Sequence, residues 1–187
     1  MDIIDKLSYN SIVILSFFFI SLIVFILDKI FKGKLTKNIF SSWHSSLLNP
    51  LTYLRLFTHI FGHSDWQHFM NNFLYILLIG PMVEEKYGSL NLLIMILIVA
   101  FVTGLINSLL YDNKRLLGAS GIVFMLIILS SVVNITAGKI PITLVLIFLF
   151  YIVNEITSGL FKKDNVSHLS HLLGALMGII FAFYFKI

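Results

Sequence analysis

Residues 90–111 read LNLLIMILIVAFVTGLINSLLY, a run of 22 residues without one charged side chain. A helix needs about 20 mostly apolar residues to cross a bilayer, so this run is long enough to span it. Five further runs have a similar character, although Glu155 interrupts one of them, and the six predicted helices cover residues 8–27, 66–83, 90–111, 116–138, 140–161 and 166–185. We therefore predict an all-α fold, a polytopic membrane protein whose residues 1–187 form a single six-helix transmembrane domain.

The composition supports a membrane location. Hydrophobic residues make up 58% of the chain and charged residues only 12%, against roughly 45–50% and ~25% in an average soluble domain. The net charge of +4 comes from Lys and Arg residues scattered through short segments, which favours lipid headgroups over nucleic acid as the partner. The chain has no cysteine, which excludes disulfides, thiolate metal sites and cysteine nucleophiles. Residues 28–65 are predicted to form a long loop that lies partly in the membrane interface.

Polar side chains are expensive inside a membrane span and usually mark function or helix packing. His68 and Asn72 are four residues apart in the second predicted helix, so they share one helix face. They can donate hydrogen bonds to a substrate, or they can simply bridge neighbouring helices. The sequence alone leaves both interpretations open.

A serine and a histidine on two other helices form a candidate nucleophile and base. Ser120 lies between Gly118 and Gly121 at the start of an apolar run, where helix N–H groups stabilise negative charge. A serine hydroxyl needs a base to act as a nucleophile, and His171 is the candidate. Gly174 and Gly178 follow His171 on the same helix face and allow close approach to another small face, such as that of Gly118 and Gly121. The alternative is that these glycines serve helix packing alone.

Three stretches resemble the motifs of one known family, the rhomboid intramembrane serine proteases. They are residues 54–88, with Arg55, His68, Asn72 and Glu84; Gly118-Ala119-Ser120-Gly121; and His171-Leu172-Leu173-Gly174-Ala175-Leu176-Met177-Gly178. The order and spacing of these stretches are similar to the family's, from about Arg55 to Tyr184. The family often has a tyrosine four residues after the serine, where this chain has Phe124. We expect Phe124 to keep the stacking on the histidine without the hydroxyl.

The resemblance implies a rhomboid-like bundle that cleaves other transmembrane proteins in the plasma membrane, with no cofactor and no metal. It implies Ser120 as nucleophile and His171 as general base. His68, Asn72 and the Ser120 backbone N–H would form the oxyanion hole. Arg55 and Glu84 would be structural residues of the first loop and of the end of the second helix.

Three other functions compete with this interpretation. A metalloprotease would use His59 and His63, but the glutamate that follows the first histidine of the zinc motif is missing. A catalytically silent relative would bind membrane clients without cutting them, although such proteins typically lose the serine or the histidine. A transporter would show internal repeats, which the sequence lacks. We interpret His59, His63 and His168 as structural or interfacial.

The family resemblance and the distribution of positive charges predict opposite orientations of the protein in the membrane. The resemblance implies that both termini are cytoplasmic and that the site opens outward. Positive charges then lie mostly outside, against the positive-inside rule. The inner side would hold Lys6, Lys86, Lys139 and Lys186, and the outer side Lys29, Lys32, Lys34, Lys37, Arg55, Lys114, Arg115, Lys162 and Lys163.

Overall fold

A computed structural model describes residues 8–112, 114–132, 142–147, 149–150, 153, 157 and 167–185. Within these ranges the regular elements are helices, as predicted, and β pairing is limited to one isolated bridge between Ser42 and Leu116. The helices are α1 (Ile12–Ile30), α2 (Lys34–Asn38), α3 (Pro50–Thr58), a 3₁₀ turn (His59–Phe61), α4 (Trp66–Tyr87), α5 (Ser89–Leu110), α6 (Ser120–Val132), α7 (Ile142–Ile147) and α8 (His168–Tyr184).

Two of these helices, α1 and α5, are long and apolar enough to cross a membrane, and α6 and α8 are shorter apolar helices. Most of the predicted fifth span, residues 140–161, lies outside the described residues, as does the end of the fourth, residues 133–138. The predicted fourth helix starts at residue 116, whereas α6 starts at Ser120. The difference arises because Leu116 pairs with Ser42 in the bridge and Gly118 adopts a left-handed φ of 107°.

The predicted loop of residues 28–65 contains local structure. Asn49 caps α3 by accepting a hydrogen bond from the N–H of Leu51, and Pro50 begins the helix. Arg55 is buried and donates from Nε to the carbonyl of Asn38 over 2.7 Å. The guanidinium groups of Arg55 and Arg115 each lie 3.9 Å from the ring centre of Trp43. Arg55 therefore connects α3 to the segment that contains Asn38 and Trp43.

Glu84 joins three helices near the end of α4. Its carboxylate accepts hydrogen bonds from the Ser11 hydroxyl and from the N–H groups of Val13 and Ile14, at 2.9, 2.9 and 3.0 Å. It also accepts one from the Ser89 hydroxyl at 2.7 Å. Because the first N–H groups of a helix have no partner within the helix, this buried carboxylate caps α1 and binds the first residue of α5. Glu84 therefore links the start of α1, the end of α4 and the start of α5 through hydrogen bonds.

Helix α6 lies at the centre of the bundle. Its apolar side chains are buried around its circumference, and Ile122, Met125, Leu126 and Leu129 are fully inaccessible. A helix that is apolar on all sides belongs in the interior of a bundle. Its N-terminal residue, Ser120, is consequently held between α4, α5 and α8.

Candidate functional site

Ser120 is the first residue of α6 and follows a tightly fixed turn. The Gly118 N–H donates to the carbonyl of His59 over 3.0 Å, and the bridge to Ser42 holds Leu116. The left-handed φ of Gly118 disfavours any residue with a Cβ. The turn therefore places the half-buried Ser120 hydroxyl at a helix N-terminus, where backbone N–H groups are available for an anion.

The glycines of α8 pack directly on the backbone of α6. A Cβ added at Gly174 would overlap the carbonyl oxygen of Gly121, and one added at Gly178 would lie 2.9 Å from the carbonyl oxygen of Met125. This is the close helix approach that the spacing of Gly174 and Gly178 predicted. His171 lies one turn before Gly174, and Ser120 directly precedes Gly121. The interface therefore brings the serine and the histidine to the same end of the two helices.

The side chains in this interface fix the histidine ring. Phe124 and His171 are stacked, with ring centroids 4.5 Å apart and planes inclined by 9°. Phe124 is four residues after Ser120, so both project from the same face of α6. The imidazole thus lies over the face of α6 that carries the Ser120 hydroxyl. His168 meets the His171 ring edge-on, with centroids 6.3 Å apart.

The two polar residues of α4 converge on the turn before Ser120. A Cβ added at Gly118 would lie 2.6 Å from Nε2 of His68 and 3.5 Å from Nδ2 of Asn72. Both nitrogens therefore point at the backbone two residues from the serine. This arrangement differs from the expectation that Gly118 contributes to the small face against α8. Glycine at position 118 instead makes room for His68.

The interpretation of His63 as a structural or interfacial residue left its partner open, and the structure places His63 against Asn72 of the candidate site. Its Nε2 lies 3.0 Å from Nδ2 of Asn72, and its Nδ1 lies 3.3 Å from the carbonyl of Phe61. Because the amide of Asn72 donates, Nε2 of His63 accepts and the ring is neutral. Burial and the neighbouring His68 lower the pKa of His63 to about 3. His63 therefore orients the Asn72 amide, a role that spacing could not reveal because His63 lies in a loop.

His59 has separate partners from His63. Its Nε2 is 3.0 Å from the carbonyl of Ala100 on α5, and burial lowers its pKa to about 4. The backbone carbonyl of His59 accepts a hydrogen bond from the Gly118 N–H. His59 thus connects α5 to the turn before Ser120. Across the described parts of the chain, no three His, Asp or Glu side chains gather in a group suited to a metal ion.

The fold and the site together define a helical membrane protein with a serine at a helix N-terminus, a stacked histidine and two converging polar groups. The Rhomboid domain family model matches residues 50–186. The chain belongs to the rhomboid family.

Two plant proteins show the same relationship. The chain is 28% identical over 137 residues to "Rhomboid-like protein 11, chloroplastic" of Arabidopsis thaliana, and the match covers 66% of this chain and 49% of that protein. It is 33% identical over 133 residues to "RHOMBOID-like protein 1" of the same plant, and this match covers 68% of this chain and 34% of that protein. The chain therefore spans half or less of the length of these relatives.

Proposed function

We propose that this protein is an intramembrane serine endopeptidase that cleaves transmembrane or membrane-adjacent segments of other proteins with a Ser120–His171 dyad. The observation that carries the proposal is the stack of His171 on Phe124, one turn beyond Ser120 on α6. The stack fixes the orientation of the imidazole on the helix face that carries Ser120, which is the arrangement that a general base for this serine requires. Helices α1, α4, α5, α6 and α8, with a sixth span in residues 140–161, form the proposed rhomboid-like bundle.

In the proposed reaction, the Ser120 hydroxyl oxygen attacks the carbonyl carbon of the scissile peptide while His171 takes the hydroxyl proton. The carbonyl oxygen becomes an oxyanion, to which His68, Asn72 and the Ser120 N–H donate. The carbon–nitrogen bond then breaks, and His171 returns the proton to the leaving amine. Water hydrolyses the acyl-enzyme by the reverse sequence. Stacking on Phe124 supplies the ring orientation that an aspartate supplies in a Ser-His-Asp triad.

A cavity of about 330 Å³ lies beside the loop that precedes α4, between His63, Ser64, Arg115 and Leu117. Its other walls include Asp28, Thr36, Lys37 and Ser41, whose polar groups can hold water. His63 also contacts Asn72 of the candidate site, so this cavity is the proposed source of the water that hydrolyses the acyl-enzyme.

The proposed substrates are transmembrane helices that unwind near one membrane face. Extended backbone is tolerated at membrane depth only where protein or water satisfies it. Clients with helix-weakening residues near the cut should therefore be preferred, and inserted Gly or Pro should increase cleavage. We place the protein in the plasma membrane in this proposal and assign it no metal or organic cofactor.

The direct test is cleavage of a single-span client in proteoliposomes that contain the purified protein. Wild type should cut and Ser120→Ala should not. Ser130→Ala is the matched control, because the Ser130 hydroxyl bonds the carbonyl of Ile127 within the same helix. Binding of the client without cutting by wild type would favour the alternative, a catalytically silent rhomboid-like protein that holds membrane clients.

A further inference from the structure

The loop before α4 contains a short chain of hydrogen bonds that ends on His68. The Ser64 hydroxyl donates to Oδ2 of Asp65 over 2.7 Å, and Nδ1 of His68 lies 3.2 Å from the same hydroxyl oxygen. The other carboxylate oxygen, Oδ1, accepts from the His68 backbone N–H at 2.8 Å and so caps α4. One carboxylate oxygen of Asp65 thus caps the helix, and the other is connected to the His68 ring through the Ser64 hydroxyl.

The number of protons in this chain decides which nitrogen of His68 can donate. A hydroxyl has one hydrogen, and Ser64 gives it to Asp65. The Ser64 oxygen can then only accept from Nδ1 of His68, which must carry a proton. A neutral imidazole has a single N–H. In the neutral ring, Nε2 therefore presents a lone pair to the turn at Gly118.

We infer that Ser64 and Asp65 are positioning residues of the candidate site, which hold a proton on Nδ1 of His68 so that its Nε2 donates to the oxyanion only as an imidazolium. The inference rests on the proposed function, because the oxyanion belongs to that reaction. His68 would then contribute a full positive charge as well as a hydrogen bond. Charge-assisted hydrogen bonds are about twice as strong as neutral ones.

The charges around His68 show why a carboxylate is needed at position 65. His63 lies beside the ring, with centroids 5.0 Å apart, and His171 on α8 acts on His68 electrostatically, with His168 edge-on to His171. From α1, the Lys29 ammonium binds the Ser64 carbonyl at 3.3 Å. Burial first, and then positive charge on His171, disfavour a cation at His68, whereas the Asp65 carboxylate favours it. The Ser64 hydroxyl and then the His68 N–H lower the pKa of Asp65, so the carboxylate stays ionised.

The inference predicts that both residues are needed for the protonation pattern of His68 and, through it, for turnover. Asp65→Ser keeps a capping oxygen but removes the charge. It should lower turnover about tenfold, a part of the roughly 10²–10³-fold that the loss of one oxyanion donor costs. Ser64→Ala, which breaks the chain without touching the cap, should lower turnover in the same direction.

The experiment combines these turnover measurements with ¹⁵N NMR of histidine-labelled protein, in which His68 is assigned by its loss in His68→Gln. We expect neutral His68 to be protonated on Nδ1 in wild type, and the tautomer preference to weaken in Ser64→Ala. A neutral His68 protonated on Nε2, or normal turnover in both Asp65→Ser and Ser64→Ala, would overturn the inference. The NMR result does not depend on activity. An inactive wild type with Nδ1 protonated would contradict the proposed function and leave this hydrogen-bond chain in place.

Discussion

The ring of Phe124 lies parallel to the imidazole of His171, with 4.5 Å between their centroids and 9° between their planes. The two residues come from α6 and α8, which meet through Gly121 and Gly174. Because Phe124 stands one turn beyond Ser120, this stack ties the orientation of the proposed base to the helix that carries the proposed nucleophile. The first prediction tests that connection.

Phe124→Leu should lower kcat by about two- to tenfold, because aromatic pairs contribute ~0.5–1.5 kcal/mol beyond the area they bury. Phe124→Tyr should keep the stack and most of the turnover. Steady-state cleavage of one client by both variants provides the measurement. Equal turnover of Phe124→Leu and wild type would show that the stack does not orient the base.

Gly174→Ala should abolish measurable turnover even where the protein still inserts in the membrane. The added methyl group would meet the carbonyl of Gly121, which is backbone and cannot turn aside. Separation of the helices would displace His171 from Ser120, and a shift of about 1 Å can cost 10²-fold in rate. Gly178→Val should act similarly, since a Cβ there lies 2.9 Å from Met125 and Ile128 atoms.

Leu176→Ala is the matched control for these glycine variants, because Leu176 is on α8 with 51% of its surface exposed. It should retain normal turnover. Normal turnover in both Gly174→Ala and Gly178→Val would mean that the α6–α8 contact is not the catalytic interface.

His68→Ala and Asn72→Ala distinguish oxyanion stabilisation from helix bridging. Loss of one oxyanion donor should reduce kcat by roughly 10²–10³ with a much smaller change in Tm. Loss of a bridging hydrogen bond should instead cost about 1 kcal/mol of stability and leave turnover nearly intact. Asn71→Ala is the control, because the exposed Asn71 bonds Gln67 on the outside of α4. Normal turnover in a destabilised Asn72→Ala protein would refute the oxyanion assignment.

The free energy of unfolding should fall as the pH is lowered from about 6.5, the unfolded-state pKa of histidine. His59 and His63 have pKa values of about 4 and about 3, lowered mainly by burial. The unfolded chain therefore binds protons between pH 6.5 and these values while the folded chain does not, which favours unfolding. Above about pH 7, both histidines are neutral in the folded and the unfolded chain, so they add no pH dependence to the free energy of unfolding.

Thermal unfolding in detergent at pH 7.5, 6 and 5 measures this effect. His63→Gln should show a shallower decline of Tm, because one of the two titrating groups is gone. An identical decline in wild type and His63→Gln would show that His63 is not held neutral by the fold.

Much of the candidate site followed from spacing within helices. The four-residue spacing of His68 and Asn72 placed both on one face of a helix, and the structure turns that face toward Gly118, two residues before Ser120. The small residues Gly174 and Gly121 predicted the α6–α8 contact. Helical periodicity fixes such relationships locally. The six runs of apolar residues likewise predicted an all-helical chain, although residues 140–161 lie mostly outside the described structure.

Other parts depend on contacts between residues far apart in the chain. The start of α6 at Ser120 is set by the pairing of Leu116 with Ser42, and no local signal predicts that bridge. The carboxylate of Glu84 caps α1 across some seventy residues. The hydrogen bond from Asn72 to His63 and the chain from Asp65 to His68 depend on the loop conformation before α4. Such geometry arises from tertiary structure and has no periodic pattern.

The most direct test of the account is covalent labelling by a fluorophosphonate probe, which reacts with activated serine hydroxyls. Purified wild type, Ser120→Ala, His171→Ala and the control Ser130→Ala are compared in the same detergent, with labelled residues located by mass spectrometry. We predict labelling of Ser120 in wild type and in Ser130→Ala, and none in Ser120→Ala or His171→Ala. An unlabelled wild type that is folded, or labelling that survives Ser120→Ala, would contradict a Ser120–His171 dyad.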